Sequence, residues 1–276
     1  MRYVLGAGGG GDTVCLDVMP DQLHGIVITG ATRSGALLPS SLVLSATEAQ
    51  DPDTLRVWLV RPDWTDPSIL KAKLVFLEQR LPSTDPTLLL RQEVDDRVAA
   101  FHRDTLLSGL PHVDHLIAGD GSASILAELA AAEIDRRLDL LDRAGAQDWT
   151  DYTWLRNHRR AELAPLPQIL IQADQYPTLL ASEGAAQIAG ALDRLCAAGR
   201  CAGVALQLCS TALTFETGRT GRSLLSSMSY AIVMGDVDHE TLRILGRSDI
   251  EAAARPGRAV LHYRGNLTMF TPTLTM

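Results

Sequence analysis

The chain has 276 residues, 46% of them apolar and 21% charged, with a formal net charge of −8 and a pI near 5.3. That composition is ordinary for a globular protein, and the length supports one large or two small domains with a full core. The acidic balance argues against a protein whose main work is gripping nucleic-acid phosphates, which needs clustered Lys and Arg, although a small basic patch such as Arg156 to Arg160 is compatible with it.

Short apolar runs read as buried parallel strands, and longer periodic runs as helices. Tyr3 to Gly6, a turn over Gly8 to Gly11, and Thr13 to Asp17 predict a β-hairpin within residues 1–20. Gly25 to Thr29 predicts a buried strand that leads into a glycine loop, Gly30 to Gly35. The next helix is predicted to start near Leu38 or Pro39, because proline is tolerated in a first turn. Leu55 to Val60 predicts a strand. Residues 66–108 read as mostly helical and polar, broken by Pro82 and Pro86. Val113 to Ala118 predicts a short strand, followed by a helix over about 123–143 capped by Ser122 or Ser124 and closed by Gly145. Its apolar positions Ile125, Leu126, Leu129, Ile134, Leu138 and Leu141 fall on one face. Residues 147–161 read as a second, charged helix, stopped by Pro165 and Pro167. A strand over Gln168 to Asp174, a helix through about 183–199, and strands over Val204 to Cys209 and Tyr230 to Met234 follow. Arg258 to Tyr263 and Thr268 to Thr271 predict a final antiparallel pair. With no repeat, linker or low-complexity tract, this alternation predicts one α/β domain over residues 1–276, built on a largely parallel central sheet flanked by helices.

The loop after the first buried strand, Gly30-Ala31-Thr32-Arg33-Ser34-Gly35, has the G-x-x-x-x-G spacing of a Walker A phosphate loop. A working loop continues with Lys, on the β- and γ-phosphates, and Ser or Thr, on Mg²⁺. Here the two residues are Ala36 and Leu37, and neither side chain can do that work. Alone, such a turn reads first as a tight strand-to-helix connection without a ligand. Backbone N–H groups at a helix N-terminus still attract anions, and Arg33 adds charge, so weaker nucleotide binding stays open. Ile169 to Asp174 has the form of a Walker B strand, apolar residues ending in a carboxylate; the plainer alternative is an Asp closing a strand. Working motors place Glu next, to polarise the attacking water. Gln175 stands there and cannot act as a general base.

Other features carry less. Cys15, Cys196, Cys201 and Cys209 form no C-x-x-C pair and lack neighbouring histidines, which fits reduced thiols better than zinc. His112 and His115 flank a strand without metal-ligand spacing and read as surface or loop residues. No G-x-S-x-G elbow supports a hydrolase triad. Trp149, Tyr152 and Trp154 read as packing before they read as a partner platform. No apolar run reaches the roughly 18–20 residues that span a bilayer, and residues 1–20 do not read as a signal peptide.

Taken in order, these segments resemble the FtsK/SpoIIIE family of motor ATPases, and within it one of the tandem ATPase domains of the EccC subunit of type VII secretion systems. Gly30 to Gly35 matches the family's G-[GA]-T-G-S-G loop, and Val57 to Val60 the strand that normally continues into Asp-Phe-Lys-Gly-Gly. Leu110-Pro111-His112 matches a leucine-proline-histidine turn, and Arg136-Arg137 with Leu140-Leu141 and Ala144-Gly145 the long helix after it. Leu166 to Asp174 matches the Walker B strand, Gly199-Arg200-x-x-Gly203-Val204 a G-R-[SA]-x-G-[IV] turn, and Pro256 to Ala259 a final turn. The departures fall together. Ala36, Leu37 and Gln175 replace chemical residues, Ser210-Thr211-Ala212 stands where Ser/Thr-Gln-Arg is usual, and Asp66 to Ser108 intervenes where relatives use a shorter link.

The resemblance implies a RecA-like P-loop NTPase fold with antiparallel terminal strands. It implies a vestigial nucleotide site made of Gly30, Ala31, Thr32, Arg33, Ser34, Gly35, Ala36, Leu37, Asp174 and Gln175, with no catalytic residue and no metal ligand. Its cofactor, if it holds one, is weakly bound ATP with Mg²⁺. The expected function is a catalytically degenerate ATPase domain of a type VII secretion motor, in substrate-signal recognition or in regulation of neighbouring ATPase domains. The alternative is a domain that keeps ATP as a structural ligand. A DNA translocase is disfavoured by the acidic balance and the missing motor residues. The implied partners are the signal peptide of a secreted WXG100-type substrate and the neighbouring ATPase domains; nucleic acid is disfavoured, and this chain does not itself insert in a membrane. The implied location is cytoplasmic, at the inner face of the cell membrane, in a longer membrane-anchored protein in which Met1 is not the native start; a standalone paralogue is the alternative.

Overall fold

The computed structural model describes residues 2–18, 25–30, 33–64, 85–183, 185–210, 228–235, 257–263 and 265–272, with isolated positions between 68 and 75 and at 250; side chains at 2, 17, 33–37, 85–93, 96 and 97 lie outside the description. In chain order the elements are β1 (Arg2–Ala7), β2 (Thr13–Asp17), β3 (Gly25–Thr29), α1 (Arg33–Glu48), β4 (Leu55–Arg61), α2 (Asp85–Ser108), β5 (Val113–Ala118) and α3 (Ser122–Ala144). Then come α4 (Trp149–His158), β6 (Gln168–Ala173), α5 (Tyr176–Ala181), α6 (Ala185–Ala202), β7 (Val204–Ser210), β8 (Tyr230–Met234), β9 (Ala259–Tyr263) and β10 (Asn266–Pro272).

All ten described strands join one sheet in the order β2-β1-β10-β9-β8-β3-β7-β6-β4-β5. The run from β8 to β5 is parallel, and the remaining strands are antiparallel. The expected α/β architecture, a largely parallel sheet flanked by helices with antiparallel terminal strands, is the one observed. β3, β6, β7 and β8 are buried along their whole length. That is what an unbroken apolar run means when helices cover both faces of a sheet. On one face Val27, Val60, Ile171 and Leu206 pack beneath α3, α5 and α6. On the other, Ile28, Leu59, Leu170 and Cys209 pack with Leu38 and Leu42 of α1 and Leu107 of α2.

The predicted hairpin, the strand runs and the closing antiparallel pair are present. α1 differs from expectation: it starts at Arg33, and Pro39 lies inside it. Proline there removes one helical hydrogen bond. Full burial of Leu38, Leu42, Val43 and Ala46 holds the helix regardless, and Gln207 on β7 donates to the Pro39 carbonyl at 3.1 Å. Pro86 sits at the second residue of α2 and opens the helix where a break was expected; Pro82 lies outside the described residues. β4 and β5 pair in parallel, which demands a crossover, and α2 lies in that connection.

Neither serine caps α3. Its N-cap is Gly121 in the left-handed region at φ 81, with Ser122 buried as the first helical residue. Gly145 closes the helix as expected: its N–H and that of Ala146 donate to the Asp142 and Leu141 carbonyls. Leu126, Ile134 and Leu141 are buried, but Ile125 is 47% exposed, being one residue and about 100° off the stripe. α4 is capped by Asp148, whose carboxylate accepts from the Asp151 N–H. The expected helix over 183–199 is α6, and α5 before it was not anticipated.

His112 is buried, contrary to the surface reading. Its Nε2 donates to the Gln50 carbonyl at 2.7 Å, while its own carbonyl accepts from Val57 N–H. His115 meets Trp58 edge-on at 5.0 Å. Trp149 Nε1 donates to the Leu166 carbonyl and Tyr152 Oη to that of Ala164, so both are packing residues. A β-carbon on Gly203, at φ +72, would stand 2.5 Å from the Trp149 ring. That contact explains a glycine whose role is invisible in the bare sequence.

Candidate nucleotide site

β3 and β6 both belong to the parallel run, so their carboxyl ends open on one edge of the sheet, with β7 between them. Two strand spacings, about 9–10 Å, separate them. At the end of β3, Gly30 has φ 149, and a β-carbon there would stand 2.2 Å from the Met234 carbonyl on β8. Only glycine fits that approach. Ala31 and Thr32 lie outside the described residues. Arg33, Ser34, Gly35, Ala36 and Leu37 are the first residues of α1, so the helix N-terminus directly follows the loop.

At the end of β6, the Asp174 N–H donates to the Val60 carbonyl of β4 at 3.0 Å. Asp174 Oδ1 accepts from the following amide, Gln175 N–H, at 3.0 Å. Gln175 adopts φ 45 and ψ 46, the one left-handed non-glycine among the described residues. A side chain in that region costs roughly 1–2 kcal/mol and marks a position held by its surroundings. Its carbonyl accepts from Thr178 N–H and so starts α5. Thr211 and Ala212, after β7, lie outside the described residues.

Beside Asp174 lies a buried polar seam that the sequence reading missed. Arg61, the last residue of β4, is 3% exposed, and Asp104 of α2 is 2% exposed. Arg61 Nε donates to Asp104 Oδ2 at 2.9 Å. Arg61 Nη2 donates to Gln172 Oε1 at 2.7 Å, and Nη1 to the Val60 carbonyl at 3.1 Å and the Gln172 carbonyl at 3.5 Å. Gln172 stands opposite Gln207 in the β6–β7 register, and Gln207 reaches α1 at Pro39. The seam thus runs from α2 across three strands to the loop helix. Its sequence signal is a charge ending an apolar strand and one glutamine inside each of two others.

Electrostatics tie Asp174 to this seam. Burial pushes the Asp174 carboxyl above the usual carboxylate range; Arg61 opposes that, while Asp63 and Asp104 add to it. Burial disfavours the Arg61 charge, but Asp104 and Asp174 more than compensate and hold it above its ordinary value. Arg103, one residue before Asp104, is shifted down, first by burial and then by Arg61. Cys209 is pushed up by burial and by Asp174. Among the described residues, no group of three or more His, Cys, Asp or Glu could hold a metal ion. A carboxylate, a guanidinium and helix-terminal amides can bind and orient charge.

No protein-family model matches the sequence, and comparison with curated proteins finds no match. Solved structures do match. The cytoplasmic domain of the Thermomonospora curvata type VII secretion ATPase EccC aligns at TM-score 0.72 and 22% identity, over 99% of this chain and 28% of that one. EssC ATPases 2 and 3 from Geobacillus thermodenitrificans align at 0.66 and 16%, over 99% of this chain and 44% of that one. Thermomonospora curvata EccC ATPases 2 and 3, in complex with a signal sequence peptide, align at 0.60 and 17%, over 100% of this chain and 44% of that one. The chain therefore spans less than half the length of each of these proteins. It has the RecA-like P-loop NTPase fold of FtsK/SpoIIIE-type ATPase domains, similar to those of EccC and EssC.

Proposed function

We propose that this chain is a non-hydrolysing ATPase-fold domain of a type VII secretion motor, which recognises the signal segment of a secreted protein or regulates neighbouring ATPase domains. The observation that carries the reading is the carboxyl edge of β6. Asp174 lies in the field of the Arg61 cation, and the next residue is Gln175, held left-handed, where a hydrolysing site needs a carboxylate base. A magnesium nucleotide does not fit the donor set: Ala36 offers no ammonium, Leu37 no hydroxyl and Gln175 no base. The EccC domains bound to a signal sequence peptide share this fold, which supports a peptide as the ligand class. A helical signal would need an apolar groove. No described helix is long and apolar enough to cross a membrane, so an anchor, in this reading, belongs to another part of a longer protein on the cytoplasmic side.

Calorimetry with C-terminal peptides of cognate secreted proteins tests the recognition role. Saturable heat with one of them supports it, and silence across a panel counts against it. A second reading, ATP as a structural ligand, is favoured by the start of α1 at Arg33, which points helix-terminal amides toward the loop. A thermal midpoint that rises with ATP supports that reading, because a ligand of the native state must raise apparent stability.

A further inference from the structure

We infer that Arg61 is the resident counter-ion of Asp174: the positive charge that a divalent ion brings to a working site of this fold is built into β4 here and clamped by α2. In such a site Mg²⁺ is held through the Walker A hydroxyl and the Walker B carboxylate. Here the first ligand is replaced by Leu37, and the second feels the charge of a guanidinium that is itself bonded to Asp104 and Gln172.

One atom fixes the juxtaposition. The Val60 carbonyl accepts both the Asp174 N–H at 3.0 Å and Arg61 Nη1 at 3.1 Å. The guanidinium is therefore held within two hydrogen-bond lengths of the Asp174 backbone. It cannot swing away cheaply, because Asp104 and Gln172 hold its other nitrogens at 2.9 and 2.7 Å. The Asp104–Arg61 pair reaches across 43 residues of chain, so the connection between β4 and β5 delivers the clamp to the edge of the sheet. A divalent ion at Asp174 would meet a fixed positive charge that has already taken its place.

The plainer account is that Arg61 and Asp104 only pin α2 to the sheet. That account gives Arg61 no influence on what Asp174 can bind. The inference rests on reading this edge as a former nucleotide site, and its test is independent of turnover. Mn²⁺ is titrated into the ¹⁵N-labelled chain, and amide broadening at Gln175 is compared with broadening at Leu126 in the distant core. The wild type is expected to show no excess broadening at Gln175. Arg61→Gln is expected to gain it and to lose it again in the Arg61→Gln/Asp174→Asn double variant, while Arg61→Lys, which keeps the charge, stays silent. Selective broadening in the wild type overturns the inference whether or not any variant folds, and a folded Arg61→Gln that stays silent overturns it too. Phosphate release from Mg-ATP bears separately on the proposed function, so Mn²⁺ binding without turnover would sink the counter-ion alone.

Discussion

The two faces of the sheet bury the same strands in different ways. Beneath α3, α5 and α6, alternate residues such as Val60, Ile171, Ala173 and Leu208 make an apolar layer. Their neighbours along the chain, Arg61, Gln172 and Gln207, face the α1 and α2 side and are buried polar groups that run from mid-sheet to the carboxyl edge. The apolar side has a buried charge as well, but at the other edge. Arg137 of α3 donates to the carbonyls of Ala202 and Pro167, just before β7 and β6, and to Glu133. Arg137 spends its donors closing helix and loop ends. Arg61 spends its donors beside a carboxylate at the edge where ligands of open α/β sheets bind. One face is scaffold, and the other carries the polar seam on which the proposed reading of a former site rests.

The sharpest way to break this contrast is to strand a charge. Asp104→Ala removes one side of a buried ion pair, in which Arg61 Nε donates to Asp104 Oδ2 at 2.9 Å, and should cost about 3–5 kcal/mol in urea unfolding. On the apolar side, Leu126→Ala should cost about 2–5 kcal/mol without altering Mn²⁺ or nucleotide behaviour. Ser45→Ala removes the acceptor for the Val4 N–H at 2.7 Å and should cost about 0.5–1.5 kcal/mol by uncoupling α1 from the terminal hairpin.

The last expected shift has the opposite sign. Burial raises the Asp174 carboxyl above its unfolded value near about 3.9, so the folded chain binds that proton more tightly than the unfolded one. Its favourable contribution exists below the unfolded value and is lost as pH rises through the folded one. Asp174→Asn should therefore raise the urea midpoint at pH 7, with the gap to wild type closing as pH falls toward about 4. A wild type more stable than Asp174→Asn at pH 7 would mean that Arg61 outweighs the desolvation of the carboxylate.

Strands were legible because their signal is local. Val204 to Ser210 and Gln168 to Ala173 are apolar runs between loops, and helices on both faces make such runs readable. Helix starts were less so. Pro39 looked like a first-turn residue because the burial that lets α1 run through it depends on β3 and β7. The N-cap of α3 was missed because Gly121 caps by backbone conformation, and Ile125 because the stripe is narrower than a list of apolar residues suggests. Gly30 and Asp174 share one edge because β3, β7 and β6 run parallel and put their carboxyl ends together. The seam was not legible: Arg61 meets Asp104 and Gln172 across 43 and 111 residues of chain, and only the three-dimensional register joins them. Thr211 and Ala212, the last of the expected departures, lie outside the described residues.

The central claim is that a P-loop ATPase fold has kept its frame here and lost its reaction. Phosphate release from Mg-ATP, measured for the wild type and for Asp174→Ala side by side, tests it most directly. The account predicts no turnover above background and no difference between the two proteins. Turnover in the wild type that disappears in Asp174→Ala would contradict it.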